Sequence, residues 1–213
     1  TIIGNEGDDT IRGGRGADDM NGGQGNVTLS YTFSLGAVNV SLSTNSAVNV
    51  VPGTGDADGD TIAGFENLIG SDHDDQLTGL LSGPRQLEGG EGNDVLIGGS
   101  AADTLIGGDG QDSLLGGLGA DEMRGGADND TYQISEAGDV VIELAGEGDD
   151  IVDTFITYDV PLNVEVLRMQ GTDNINSNGT ATANLIIGNT GNTIIDGAGG
   201  VDVLQGGAGN AVY

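Results

Sequence analysis

Aspartate side chains recur at a constant interval in the middle of this chain. Between residues 89 and 142 an Asp occupies every ninth position. Carboxylate oxygens are hard anionic ligands, and this regular spacing indicates a series of cation sites more simply than it indicates the paired acids of a glycosidase. The candidate ligands are Asp94, Asp103, Asp112, Asp121, Asp130 and Asp139.

A pair of glycines begins each unit that carries one of the first five aspartates, whereas the segment before Asp139 has lost this pair. Residues 89–97 read Gly-Gly-Glu-Gly-Asn-Asp-Val-Leu-Ile, and units in the same register begin at residues 98, 107, 116 and 125. Because glycine adopts positive φ at little cost, glycines at positions one, two and four predict a sharp turn whose carbonyl oxygens converge. Calcium takes six to eight oxygens at about 2.3–2.6 Å, so we expect carbonyls at positions two and four to join the carboxylates. The residues at these two positions are Gly90, Gly92, Gly99, Ala101, Gly108, Gly110, Gly117, Gly119, Gly126 and Asp128.

An apolar or aromatic residue follows each Asp by two positions. Positions seven to nine predict a short strand whose middle side chain points inward while its neighbours point outward. Nine residues then form one loop and one strand, and eighteen form a full coil with two strands. Loops eighteen residues apart should stack, so that a cation can lie between them. The predicted stacks are Asp94 with Asp112 and Asp130, and Asp103 with Asp121 and Asp139.

Less regular units lie on either side of this region. Units at residues 4 and 13 carry Asp9 and Asp18, whereas the unit at residue 22 has Val27 in place of Asp. The degenerate unit at residue 70 carries Asp75 and precedes a ten-residue unit, and in the units from residue 179 only Asp202 keeps the carboxylate. We count these four aspartates as weaker candidate ligands. The tightest row of sites is therefore predicted along residues 89–142.

Two segments between the repeats have a different pattern. Apolar and polar residues alternate at 31–51 and 140–169, as in half-buried strands, and the first segment predicts a hairpin or meander. Because open ends of a roll expose unpaired strands, we interpret both segments as strands that extend, cover or punctuate it, with an adhesive surface as the alternative. The predicted organisation is N-terminal repeats at 1–30, a β-rich insert at 31–69, the main roll at 70–142, a second β-rich insert or cap at 143–178, and degenerate repeats at 179–213.

Further acidic residues leave two interpretations open. The segment 56–60, Asp-Ala-Asp-Gly-Asp, resembles the start of an EF-hand loop, but its glycine stands at position four instead of six and Asn67 replaces the Glu at twelve. A separate calcium site and a solvated acidic turn both remain open for this segment with Glu66. The same two interpretations remain open for Asp149 and Asp150.

Catalysis finds little support among the residue types. The single His73 has no second His and no Cys with which to form a transition-metal cluster or a nucleophilic pair. It occupies position four of a degenerate loop, where we expect a solvated side chain. We therefore predict that the chain is not an enzyme.

Charge and composition restrict the partners further. The formal net charge is −29, with 34 acidic against 5 basic residues, which disfavours nucleic acids and anionic membranes. Self-repulsion and an aromatic content of 3% would leave such a chain disordered unless a cation neutralises it. A disordered acidic linker, however, does not require an apolar residue at every ninth position. No apolar stretch is long enough to span a membrane, and no signal-peptide pattern is present at the start.

Glycine- and aspartate-rich nonapeptides of this form resemble the RTX (repeats-in-toxin) repeats of proteins exported by type I secretion. The similarity is close over residues 4–21 and 89–133 and looser over 70–88 and 179–213. It implies an all-β, right-handed parallel β-roll with several Ca²⁺ ions held between stacked loops, interrupted here by strand-rich inserts or caps. It also implies an extracellular or cell-surface location, with export from a Gram-negative bacterium.

We therefore predict a calcium-binding structural module of a larger secreted or cell-surface protein, of adhesin or surface-layer type, that folds on calcium binding after export. Because the chain begins and stops within repeat units, the remainder of a longer polypeptide is an expected partner. The alternative is the non-catalytic repeat module of a secreted protease, lipase or polysaccharide epimerase. Contacts with a cell surface and self-assembly stay open, as does a glycan- or ice-binding face.

Overall fold

The structure, a computed structural model, describes residues 1–43, 55–80, 83 and 85–213 and the backbone of residues 46–49. These residues form an all-β parallel β-solenoid of about 11 turns without a helix, which confirms the predicted β-roll. No helix with the length and apolarity needed to cross a bilayer occurs in the described ranges. The boundaries of the five predicted segments stay a prediction.

The strands are short because a loop follows every few residues. Up to residue 91 they are β1 (Ile2–Ile3), β2 (Thr10–Ile11), β3 (Asp19–Asn21), β4 (Thr28–Ser30), β5 (Val38–Ser41), β6 (Ser46–Asn49), β7 (Asp60–Ala63), β8 (Asn67–Ile69), β9 (Gln76–Thr78) and β10 (Gln86–Glu91). Through the centre they are β11 (Val95–Gly99), β12 (Thr104–Asp109), β13 (Ser113–Gly117), β14 (Glu122–Ala127), β15 (Thr131–Ile134) and β16 (Val140–Val141). Towards the end they are β17 (Ile151–Thr154), β18 (Val166–Met169), β19 (Ser177–Asn178), β20 (Leu185–Ile187), β21 (Thr193–Asp196), β22 (Val203–Gln205) and β23 (Ala211–Val212).

The strands are distributed over three sheets. The long sheet has the order β1-β3-β7-β6-β5-β9-β11-β13-β15-β17-β18-β20-β22. The second sheet has the order β16-β14-β12-β10-β8-β4-β2, and the third has the order β19-β21-β23. From β8 to β16, successive strands alternate between the second and the long sheet, so the chain winds through one strand of each per coil.

The register between coils is eighteen residues in the regular region. Leu96 lies opposite Leu114 and Leu114 opposite Tyr132 in the long sheet, and Leu105 lies opposite Met123 in the second sheet. Each of these position-eight side chains is at most 1% exposed. Burying one such side chain contributes roughly 2 kcal/mol, and each coil supplies only two of them, so the apolar core is thin. The predicted inward position and the predicted coil length are both confirmed.

Glycine at position one has a different role from the one predicted. Gly90 and Gly92, at positions two and four, have positive φ, but the glycines at position one do not. A Cβ at Gly107 would overlap the Asp112 carboxylate and would press on the Gly125 carbonyl of the next coil. The prediction of positive φ at position one is therefore wrong, because this position requires glycine for space.

The first predicted insert joins the long sheet. Strand β5 pairs antiparallel with β6, and β6 pairs antiparallel with β7, as expected for a hairpin or meander. Residues 31–37 form no strand, and Phe33 and Leu35 are exposed, with the Arg12 guanidinium 4.7 Å from the Phe33 ring centre. The strand predicted at the start of this segment is therefore wrong, because the alternation there does not accompany burial on one face. Residues 44–45 and 50–54 lie outside the described residues.

The second predicted insert also continues the roll. Strands β17 and β18 extend the long sheet in parallel between β15 and β20. The second sheet ends at β16, and residues 157–162 connect this region to the third sheet. The N–H groups of Tyr158 and Val160 donate to the carbonyls of Asn176 and Asn178, and the Tyr158 hydroxyl donates to the Asp139 carbonyl.

Candidate metal centre

Two rows of buried carboxylates run along the roll. The first ladder precedes strands of the long sheet, and each backbone N–H donates to the carboxylate of the next coil at 2.7–2.9 Å. The second ladder precedes strands of the second sheet, with corresponding bonds of 2.8 and 3.3 Å. The predicted stacks are therefore present, and the role of their members as calcium ligands stays a prediction. The first ladder comprises Asp75, Asp94, Asp112, Asp130, Asp150 and Glu165, and the second Asp103, Asp121 and Asp139.

Most ladder carboxylates have one oxygen without a hydrogen-bond partner. The other oxygen accepts the backbone bond, and the side chains concerned are at most 2% exposed. A buried anionic oxygen without a partner is costly, and a bound calcium ion would provide the missing interaction. The donor set therefore fits calcium. The unpartnered atoms are the Oδ2 atoms of Asp94, Asp103, Asp112, Asp121, Asp130 and Asp150.

Basic side chains neutralise acids away from the ladders. Arg124 forms an ion pair with Glu122, and Arg168 forms one with Asp153, each at 2.6 Å. Both acids lie on strands and are partly exposed, so these pairs leave the ladder charges in place. With 34 acidic and 5 basic residues, the chain needs an external cation to neutralise its loops.

In the absence of a bound ion, burial raises the pKa values of several ladder carboxylates because it disfavours their charged form. Loss of hydration raises the pKa of Asp94 to about 8, and the charges of Asp112 and Asp75 add to the rise. Loss of hydration likewise raises the pKa of Asp130 to about 7 and the pKa values of Asp103 and Asp112 to about 6. Protons would therefore compete with a calcium ion for these oxygens.

The residues predicted to supply carbonyls lie where the loops begin. Those at position two are at the ends of strands, and those at position four form the bends that follow. Asp128 has a φ of 75°, so it adopts at position four the left-handed conformation that glycine adopts elsewhere. Ala101 occupies the same position without positive φ. Their coordination of calcium through carbonyl oxygens stays a prediction.

The structure places two further acids in register with the early repeats. The Asp18 N–H donates to Asp60 Oδ1 at 2.8 Å, so Asp60 continues the pattern across 42 residues of sequence. The Val27 N–H donates to Glu66 at 3.0 Å, so Glu66 supplies a carboxylate one coil beyond the position where Val27 lacks one. Constant nonapeptide spacing cannot reveal these acids, because residues 31–59 intervene. The sequence feature that indicates an acidic site in this region is the string of acids at 56–60.

The outer candidates occupy less complete surroundings. The Thr28 N–H donates to the Asp9 carbonyl at 2.8 Å, which places Asp9 beside Val27, as the predicted eighteen-residue coil requires. The Asn184 N–H donates to Asp202 Oδ1 at 2.9 Å, so the late repeats keep the bond but contribute one carboxylate. His73 and Asp149 are exposed, whereas Asp150, whose role the sequence left open, is buried in the first ladder.

The fold and the ladders together define a calcium-binding parallel β-solenoid. The model of the RTX calcium-binding nonapeptide repeat matches four stretches, residues 1–29, 86–114, 97–132 and 178–212, which together cover more than half of the chain. The chain therefore belongs to the RTX calcium-binding nonapeptide repeat family, and it binds Ca²⁺. The repeats and the fold are those of a structural module. A comparison with curated proteins gave no match.

Proposed function

We propose that this chain is a structural module of a larger secreted or cell-surface protein, of adhesin or surface-layer type, that folds when it binds calcium after type I export. The observation that carries this proposal is the row of buried ladder carboxylates with unpartnered oxygens. In a compartment with little calcium, desolvation and mutual repulsion of these groups favour the unfolded chain. An unfolded chain can be threaded through an export channel.

Outside the cell, where calcium is available, the balance between the unfolded and the folded chain shifts to the folded chain. A site that requires two stacked loops does not exist in the unfolded chain, so the free energy of calcium binding becomes free energy of folding. The thin core supports this coupling, since two buried apolar side chains per coil leave little stability to spare. The module therefore folds only after it has left the cytosol and has bound calcium.

A calcium titration followed by far-ultraviolet circular dichroism tests the proposal. The stripped chain is expected to be largely unfolded near pH 7.5 and to gain β-sheet signal with a midpoint of roughly 10⁻⁴–10⁻³ M, the range of extracellular calcium modules. Magnesium should substitute poorly, because it requires tighter octahedral geometry and releases water reluctantly. Sodium chloride of equal ionic strength serves as the control for screening. An unchanged spectrum after exhaustive removal of calcium would contradict the proposal.

A further inference from the structure

Glu143 stands where the repeat pattern places a glycine. Val141 lies opposite Met123 in the β14–β16 pair, and the Ile142 N–H donates to the Met123 carbonyl. Glu143 therefore lies one coil from Gly125, at position one. A Cβ at Gly125 would overlap the Asp130 carboxylate and the Tyr132 hydroxyl.

The loop that begins at Glu143 is two residues longer than the regular nonapeptide loops. Asp130 and Asp150 are bonded neighbours in the first ladder and are 20 residues apart, whereas the regular interval is 18. Gly146, with a φ of 88°, lies in the turn of this loop, and a Cβ there would meet no atom within 4 Å. The two extra residues therefore bulge outward, which leaves space for the Glu143 side chain inside.

The Glu143 carboxylate joins two ladder carboxylates in a buried cluster. One carboxylate oxygen each from Asp130, Glu143 and Asp150 lies within 4.8 Å of the others. Two oxygens bound to one calcium ion can be up to about 5 Å apart, so this spacing admits a single shared ion. The three side chains are 0%, 6% and 1% exposed, respectively.

Each carboxylate of the cluster has one oxygen bound to a protein donor and one oxygen without a partner. Asp130 Oδ1 accepts from the Asp112 N–H at 2.7 Å, and Asp150 Oδ1 accepts from the Asp130 N–H at 2.8 Å. Glu143 Oε1 accepts from the Tyr132 hydroxyl. The opposite oxygens, Asp130 Oδ2, Glu143 Oε2 and Asp150 Oδ2, are buried without a hydrogen-bond partner.

Neighbouring groups hold Glu143 in this position. The Gly125 N–H donates to the Tyr132 hydroxyl, which in turn donates to the Glu143 carboxylate. The Asn163 side-chain amide donates to the Glu143 carbonyl at 2.8 Å. Tyr132 replaces the Leu or Met found at position eight of the four preceding regular units, and its ring remains in the core while its hydroxyl reaches the cluster.

We propose that Asp130, Glu143 and Asp150 form a calcium site that differs from the loop sites of the nonapeptides, because its third carboxylate comes from position one. Three converging carboxylates favour a hard divalent cation, and the long Glu side chain tolerates the flexible geometry of calcium. The site closes the regular region at the point where the second sheet ends. This calcium site rests on the proposed function in one respect, because the roll must be folded in the presence of calcium for the site to form.

Tyrosine-sensitised terbium luminescence and a count of bound calcium test this site. The chain has no Trp, so its four tyrosines are the donors, and comparison with Tyr132→Phe identifies the emission excited through Tyr132. Glu143→Gln is expected to lose one bound calcium per chain and most of that emission. Glu143→Gly restores the glycine at position one and should show the same two losses as Glu143→Gln. It provides a second variant if Glu143→Gln folds poorly. Glu122→Gln, at a partly exposed acid on β14, is the matched control and should retain both signals.

The outcomes separate this site from the proposed function. If the Glu143 variants fold in calcium and keep the full calcium count and the Tyr132-excited emission, the site is refuted while the proposed function stands. If the unsubstituted chain shows no calcium-dependent circular dichroism change, the proposed function fails, irrespective of the Glu143 variants. Equal losses in Glu122→Gln and Glu143→Gln would also refute the site.

Discussion

Replacement of Asp112 by Ala is expected to raise the calcium concentration required for folding at least tenfold, or ~1.4 kcal/mol. Asp112 Oδ1 accepts from the Asp94 N–H, and the Asp112 N–H donates to Asp130, so this residue links the loops on both of its sides. Its Oδ2 is buried without a partner and is available to calcium. Loss of this one carboxylate therefore weakens two successive loop contacts.

The destabilisation caused by Asp112→Ala should appear only when calcium is present. In the stripped chain the same substitution removes a buried, desolvated carboxylate, so it should leave stability unchanged or slightly higher. Asp112→Asn separates charge from hydrogen bonding, because the amide oxygen can still accept from the Asp94 N–H. Glu122→Ala, at an outward acid paired with Arg124, is the control and should shift the midpoint little. Equal shifts for Asp112→Ala and Glu122→Ala in a calcium titration would contradict the register.

Acid is expected to stabilise the calcium-free chain. Burial raises the pKa values of Asp94, Asp130 and Asp112 to about 8, about 7 and about 6, respectively, well above the usual range of an Asp carboxyl group. A carboxylate with a raised folded-state pKa contributes its full stability below the unfolded pKa and loses it as pH rises through the folded pKa. Stability should therefore fall between about pH 4 and pH 8.

Solvent around the loops limits how strongly pH changes the stability of the calcium-free chain. One unit of pKa shift corresponds to ~1.4 kcal/mol in a fully buried group, and screening reduces that value here. We expect about 3 kcal/mol in total between pH 8 and pH 5, equivalent to a rise of roughly 100-fold in the folding equilibrium constant of the stripped chain. Circular dichroism of protein stripped on a chelating resin, recorded as a function of pH, measures the change in the folded fraction. Calcium affinity should move in the opposite direction and weaken at pH 5, because protons occupy the ligands; a stripped chain that becomes more stable as pH rises would contradict this account.

The regular part of the fold could be predicted from local spacing. The stacks of Asp94 on Asp112 and of Asp103 on Asp121 depend only on an eighteen-residue coil, and that length is visible wherever two consecutive units are intact. The inward position of Leu96 and Leu105 follows from the alternation within a three-residue strand. These features require no knowledge of distant residues.

The irregular part depends on contacts that spacing does not encode. Asp60 joins the register of Asp18 because the chain between them forms additional strands of the same sheet. Asp150 enters the first ladder after a loop with two extra residues, so its interval of 20 falls outside the period. The glycine pattern predicts positive φ at position one, whereas the structure shows that the Asp carboxylate occupies the space of the missing Cβ. The nonapeptide pattern therefore gives no indication of Glu143, since an acid at position one requires a longer loop.

The location of calcium is the most direct test of this account. Crystals grown in calcium, with anomalous diffraction recorded at a wavelength where calcium scatters anomalously, will reveal each bound ion without any substitution. We expect peaks between stacked loops in two rows along residues 89–142, one beside each ladder, and sparser peaks along the outer repeats. Absence of ions from residues 89–142, with peaks instead along residues 31–51, would contradict both the register and the mechanism of calcium-dependent folding.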